Sequence, residues 1–165
     1  MVIIHQFEKN SREDGLIYVT SKEVRSCPRC GGKLKVKDYR KRQGWSKYGD
    51  KHQYLLRRLR CKKCGAVHIE LPHTLLPYKR YDTEAVESVL NSEDSDCVVS
   101  IRTKVRWKRW YSRIWLPILQ LLYALTHRKQ SLMHLETMEK EKPKEAGWLK
   151  TAVMAVINSG EKVPT

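Results

Sequence analysis

Cys27 and Cys30, then Cys61 and Cys64, form two C-x2-C pairs, CPRCGG and CKKCG, with thirty residues between them. Two intervening residues let both sulfurs of a pair turn into one tetrahedral site, so the pairs together can supply a closed four-thiolate metal centre. Gly31 and Gly65 follow the pairs, where a tight turn asks for positive φ and for backbone N–H groups aimed at sulfur. The expected ion is one structural zinc, although a tetrahedral four-thiolate site also accepts iron. Four thiolates leave no position for a reactive water, which argues against a catalytic metal. A dithiol redox pair would want a βαβ context that the pattern lacks. His5, His52, His68 and His73 are alternative ligand donors, each read as exposed or structural. Cys97, the fifth cysteine, is read as a small buried apolar side chain.

The second chemistry is the binding of polyanions. Lys and Arg number 33 against 18 Asp and Glu, a formal charge of +15. The charge is segregated: sixteen bases and three acids lie between Lys22 and Cys64, six acids and no base between Asp82 and Asp96, and six bases and no acid between Arg102 and Arg113. A surplus so arranged points to nucleic acid. In the cysteine region the candidate contacts are Arg29, Arg40, Arg42, Arg57, Lys62 and Lys63. Tyr39, Trp45, Tyr48 and Tyr54 are interleaved with them, as suits stacking on bases, although Tyr54 fits a small core better. On a helical wheel Arg102, Arg106, Arg109 and Arg113 fall within an arc of about 60°, while Trp107, Trp110, Tyr111 and Ile114 gather on the other side. One face can then be buried while the other presents guanidinium forks, which suit phosphates and guanine edges. The alternative is a solvated basic helix paired with the acidic run Asp82–Asp96.

The elements needed to hold these groups follow from pattern. Val2–Phe7, Leu16–Thr20, Leu34–Arg42 and Tyr54–Arg60 read as strands. Val67, Ile69 and Leu71 alternate with polar residues as in a half-buried strand. Gln43–Lys51, with Gly44 and Gly49, reads as a loop, and Pro72 and Pro77 bracket an extended linker. Thr83 is expected to cap a helix over Glu84–Leu90, and Ser100 a long one over about Ile101–Ile114, which Pro117 should kink or restart. Leu119–Thr126, Ser131–Glu141 and Ala146–Ile157 continue helical, with a linker at Lys142-Pro143-Lys144. The expected fold is α+β: a four-cysteine zinc ribbon in residues 1–80, then a helical region in 81–165 containing a helix-turn-helix-like pair. No glycine marks the turn of that pair.

The segments CPRCGG, YLLRRLRCKKCGAVHIELPHTLLPYKRY, SIRTKVRWKRWY and GWLKTAVMAVIN resemble an uncharacterised bacterial family, a domain of unknown function with an N-terminal zinc ribbon. They are also similar to the zinc-ribbon and helix-turn-helix region of insertion-sequence transposases. The resemblance covers roughly residues 25 to 158. It implies that Cys27, Cys30, Cys61 and Cys64 are the metal ligands and that Ser100–Tyr111 is a recognition helix. The catalytic domain of such transposases, with its three carboxylates, is not matched.

The reading is a zinc-dependent DNA-binding protein rather than an enzyme, an accessory or regulatory factor of a mobile element. An RNA-binding ribbon protein and a protein–protein adaptor using the C-terminal helices are the rivals. A small nuclease is disfavoured, since no HxxxH, HNH-like or clustered carboxylate pattern lies among the bases. Met1-Val2-Ile3-Ile4 is too short for a leader, and Trp115–Leu125, interrupted by Gln120, too short to span a bilayer. The expected setting is cytoplasmic and reducing, with no membrane partner.

Overall fold

The structure is a computed structural model that describes residues 1–11, 13–93, 96–126 and 146–160. The helix expected at Ser131–Glu141 and the linker at Lys142-Pro143-Lys144 lie outside the described residues. Among the described residues six strands form one sheet: β1 Val2–Ile4, β2 Phe7–Ser11, β3 Leu16–Ser21, β4 Leu34–Trp45, β5 Lys51–Cys61 and β6 Val67–Pro72. The helices described are α1 Thr83–Asn91, α2 Ile101–Thr126 and α3 Trp148–Asn158.

β5 organises the sheet. It pairs along its length with β4 in an antiparallel ladder running from Leu34↔Cys61 to Trp45↔Lys51. Its other edge is shared: Gln53–Leu55 pair in parallel with Leu16–Tyr18 of β3, and Arg58–Arg60 pair antiparallel with Val67–Ile69 of β6. β1 adds in parallel to the far edge of β6. The β4–β5 ladder is longer than its sequence suggested, because Gly44 belongs to β4 rather than to a loop. A Cβ at Gly44 would lie 2.8 Å from the Tyr54 ring and 3.2 Å from Leu75, so the glycine marks a close approach of strand and core.

The alternation expected in β6 gives way to burial on both faces: Leu71 is 0% exposed and Ile69 packs against the core, but the polar positions are buried as well. Val67 is 44% exposed, whereas His68 and Glu70 are buried. Period-2 reading assumes that one face is wet. Here the polar face covers the first cysteine turn through His68 and buries an ion pair, Arg57 Nε to Glu70 Oε2 at 2.6 Å. The segment between Pro72 and Pro77 is packed rather than extended over the surface: Leu75 and Leu76 are each 2% exposed.

One buried cluster joins the sheet and the helices, from Ile3, Tyr54, Leu56 and Leu71 through Val86 and Leu90 to Trp107, Ile114 and Val153. The cap of α1 is Asp82, whose Oδ1 accepts from the Ala85 N–H at 2.8 Å. Thr83, expected there, is the first helical residue, and its hydroxyl donates to the His73 carbonyl. Ser100 caps α2 as expected, accepting weakly from the Thr103 N–H. α2 runs through Pro117 to Thr126. A stacked and T-shaped trio of Tyr111, Trp115 and Trp148 joins α2 to α3. The Glu87 carboxylate of α1 accepts from the Gly147 N–H at the start of α3, where the helix dipole favours a negative charge.

The outer edge of β1 is closed without a strand. Asn158, the last residue of α3, accepts from the Ile3 N–H at 2.9 Å and donates to the Ile3 carbonyl at 2.8 Å. Its side-chain amide stands where a neighbouring peptide group would be. Ile3 is 1% exposed, so its backbone has little access to water as a substitute partner. Asn158→Ala is expected to lower stability by about 2–3 kcal/mol, the cost of leaving buried backbone groups unpaired. A shift of the urea midpoint at unchanged slope checks it.

Candidate metal centre

The two cysteine turns are the same turn built twice, one before β4 and one after β5. In the first, the Cys27 N–H donates to Gly32 O at 2.8 Å and the Gly31 N–H to Cys27 O at 2.8 Å. In the second, the Cys61 N–H donates to Ala66 O at 2.9 Å and the Gly65 N–H to Cys61 O at 3.1 Å. Gly31 has φ 69° and Gly65 φ 70°, the conformation expected of the residue that follows each pair. The β4–β5 ladder brings the turns together, since Leu34 pairs with Cys61. The Lys62 N–H donates to Lys33 O at 2.9 Å and ties them directly.

All four sulfurs consequently lie within 4.8 Å of one another. The contacts across the two turns are Cys27 Sγ to Cys64 Sγ at 3.8 Å and Cys30 Sγ to Cys61 Sγ at 3.5 Å. A tetrahedral site with metal–sulfur bonds of about 2.3 Å has sulfur–sulfur edges of about 3.8 Å. The four residues therefore fit a metal ion as a closed set. Cys27 and Cys61 are buried and Cys64 is exposed, so the cluster opens to solvent on one side.

Backbone dipoles favour thiolate at Cys61, whereas at Cys30 the Gly32 backbone pulls the thiol down but the neighbouring sulfurs and burial push it up to about 11. The Cys64 N–H, 3.5 Å from Cys61 Sγ, pulls the Cys61 thiol down to about 6, against burial and aided by the Lys63 N–H at 3.4 Å. His68 is not one of the clustered ligands but their neighbour. Its Nε2 is 3.3 Å from Cys27 Sγ, and its Nδ1 is 3.0 Å from the Met1 amine. Burial, then the charge of that amine, holds His68 below its ordinary range. His5 and His73 stack on each other with centroids 4.6 Å apart.

Gly32 is a site residue that the spacing did not single out. A Cβ there would meet Lys63 Cβ at 2.7 Å, Cys61 Sγ at 2.9 Å and Cys30 Sγ at 3.4 Å. The equivalent position of the second turn is Ala66. The doubled glycine of CPRCGG was the available signal, since the second turn needs only one.

The candidate nucleic-acid contacts divide. Arg102, Arg106, Arg109 and Arg113 are exposed on α2, and Trp107, Trp110, Tyr111, Ile114 and Trp115 are buried on its inner side. Among the described residues no carboxylate forms an ion pair with these four arginines; Glu84, at the start of the acidic run, pairs with Lys47 instead. Arg29, Arg40, Lys62 and Lys63 are exposed. Arg42 and Arg57 are engaged inside the fold. Arg42 donates to the carbonyls of Leu76 and Lys79, and burial holds its pKa below the usual range. Arg57 pairs with buried Glu70. Tyr39 and Tyr48 are exposed, whereas Tyr54 is core. Cys97 is buried. The helices α1 and α2 are joined by residues 92–100, longer than the turn of about three or four residues that defines a helix-turn-helix.

Fold and site together define a mixed α+β protein with a four-cysteine metal-binding cluster at one end of a β-hairpin. Residues 27–110 match a family described as a domain of unknown function, DUF6431, and the chain belongs to that family. The match contains all four cysteines and ends at Trp110, inside α2. Comparison with curated proteins and with solved structures gave no match. Among the described residues no helix is long and apolar enough to cross a membrane.

Gly32→Ala is expected to weaken metal binding about tenfold, the scale of a change just outside the ligands. Gly31→Ala meets nothing within 4 Å and should cost only the strain of its positive φ, about 1 kcal/mol. Chelator competition on both variants and the parent checks the difference. Cys27→Ser or Cys64→Ser should release the ion and unfold the turns.

Proposed function

We propose that this is a DNA-binding protein in which a zinc ion holds the cysteine turns and the outer face of α2 meets the duplex. The observation that carries this reading is the row Arg102, Arg106, Arg109 and Arg113, exposed along one helix whose opposite side is fixed by buried aromatics. A helix whose guanidinium groups on one side have no carboxylate partner among the described residues is suited to a groove and its flanking phosphates. The cysteine turns add Arg29, Lys62 and Lys63, exposed around four thiolates whose own charge with a divalent ion is near −2. Residues 92–100 are too long a connection for the turn of a helix-turn-helix, so the reading rests on α2 itself as the helix that meets the groove. The role is binding rather than catalysis. A place in the regulation of a mobile element rests only on the resemblance of roughly residues 25 to 158 to the zinc-ribbon and helix-turn-helix region of insertion-sequence transposases. An RNA ligand and a protein partner on the C-terminal helices remain the competing occupants.

Elemental analysis is expected to give about one zinc per chain. Binding to duplex DNA should weaken steeply as salt rises, because phosphate contacts release condensed counterions. Arg106→Ala is expected to cost about 1–3 kcal/mol of binding free energy and to relax sequence preference if the contact is to a base. Lys108→Ala, exposed on the same helix but well away from the arginine row, removes the same formal charge and should cost less. Equal, small losses at both positions would leave a diffuse basic surface and remove α2 as the reading helix.

A further inference from the structure

The turn that follows β6 carries chemistry that the arginine row does not use. Lys79 N donates to Leu76 O at 3.4 Å, closing a turn with Pro77 and Tyr78 at its centre. Tyr78 has φ 60°, a left-handed conformation that a bulky residue rarely adopts and that glycine usually fills. The strained residue is also 68% exposed, so no packing of its ring explains it. Backbone strain of this kind gathers at ligand-binding sites.

Tyr78 stands on the rim of a cleft of about 620 Å³ between this turn and the β4–β5 ladder. That volume lies within the roughly 300–1,000 Å³ of sites for small organic groups. Leu56 and Ile69 contribute apolar surface, and Arg40, Lys41, Lys79 and Arg80 contribute charge. Among the described residues no acid lines it and no carboxylate pairs with those four bases. The walls are held in place before any ligand arrives. Arg42 bonds the carbonyls of Leu76 and Lys79, the latter at 2.8 Å, and the Trp45 N–H donates to Arg80 O at 2.8 Å. Lys79, one of the lining residues, also touches α2: its Nζ lies 4.2 Å from the centroid of the Trp110 ring. Burial, and then the charge of Arg106, holds the Lys79 ammonium below its ordinary range. An anion placed there would relieve that repulsion.

We propose that this cleft is a second nucleic-acid site, one that takes an unpaired strand: a base stacks on Tyr78 and its flanking phosphates are held by Arg40, Lys41 and Arg80. An exposed aromatic ring at the edge of a cleft, beside cations that no carboxylate pairs among the described residues, is the kind of arrangement that binds single strands without reading sequence. A duplex keeps its bases stacked inside and offers none to Tyr78. The site adds to the duplex surface on α2 and rests on the reading of the chain as a nucleic-acid-binding protein.

The test uses the whole metal-loaded chain and two fluorescent probes, an oligothymidylate of about twelve nucleotides and a duplex of the same length. The informative variant is Tyr78→Gly, because glycine accepts the positive φ and the fold loses nothing when the ring goes. Its single-strand affinity should fall about tenfold, the scale of one lost stacking contact, with duplex affinity unchanged. Tyr78→Trp should restore single-strand binding. Arg80→Glu should weaken the single-strand complex further and steepen its response to Arg40→Glu. Single-strand binding that ignores Tyr78→Gly, or that is displaced as well by oligoglutamate, would overturn the proposal while leaving the duplex reading intact. Tyr78-dependent binding of the single strand with no duplex binding would support it and retire the α2 reading. A parent protein that binds neither probe would overturn both.

Discussion

Four sulfur atoms within 4.8 Å of one another cannot all ionise without a cation between them, and the β4–β5 hairpin puts them there. The two turns are separated by the whole β4–β5 hairpin, and only one register of that hairpin faces them correctly. A shift by one residue would move Leu34 off Cys61 and turn every side chain of the ladder to the opposite face. The metal and the register thus constrain each other. The ladder presents the sulfurs as a near-tetrahedron, and the bound ion would tie the open end of the ladder more strongly than strand hydrogen bonds can. Gly32 shows how tight that meeting is, since the other turn fills the space its side chain would need.

The same hairpin carries much of the positive charge, and it sorts its bases by depth. Arg42, Arg57 and Arg58 face carbonyls or carboxylates and stabilise the sheet; Arg58 forks onto Asp38 across the β4–β5 ladder. Arg40 and Lys41, their neighbours in sequence, have no acidic partner among the described residues. A positive strand is expensive to hold together unless some of its charges are neutralised internally. The distribution gives stability to one set and leaves the other for a ligand.

What could be read from sequence was what depends on near neighbours. The cysteine spacing and its following glycines are local, and so are the two faces of α2, which a 100° step separates reliably. What failed depended on distant partners. Arg42 and Arg57 looked like surface bases because Leu76, Lys79 and Glu70 are far along the chain. β6 looked half-buried because nothing in VHIELP says that its polar side will cover Cys27 and an arginine. Gly44 looked like a turn because a glycine required by a close approach and one required by a bend are the same letter. Tyr78 gave no signal at all: a tyrosine after proline is unremarkable until its backbone angle is known.

The amide of Asn158 on the edge of β1 has a consequence for how the chain is made. The two partners of Ile3 are β6 on one side and a side chain 155 positions later on the other. During synthesis the hairpin, β6 and the cysteine turns can assemble as they leave the ribosome, because their contacts are close in sequence. β1 can join β6 then, but with an open edge, and it keeps that edge until α3 has been translated. For that interval a short apolar strand, Val-Ile-Ile, is available for pairing with other chains. The last helix is therefore also the cover that ends the nascent chain's exposure to aggregation.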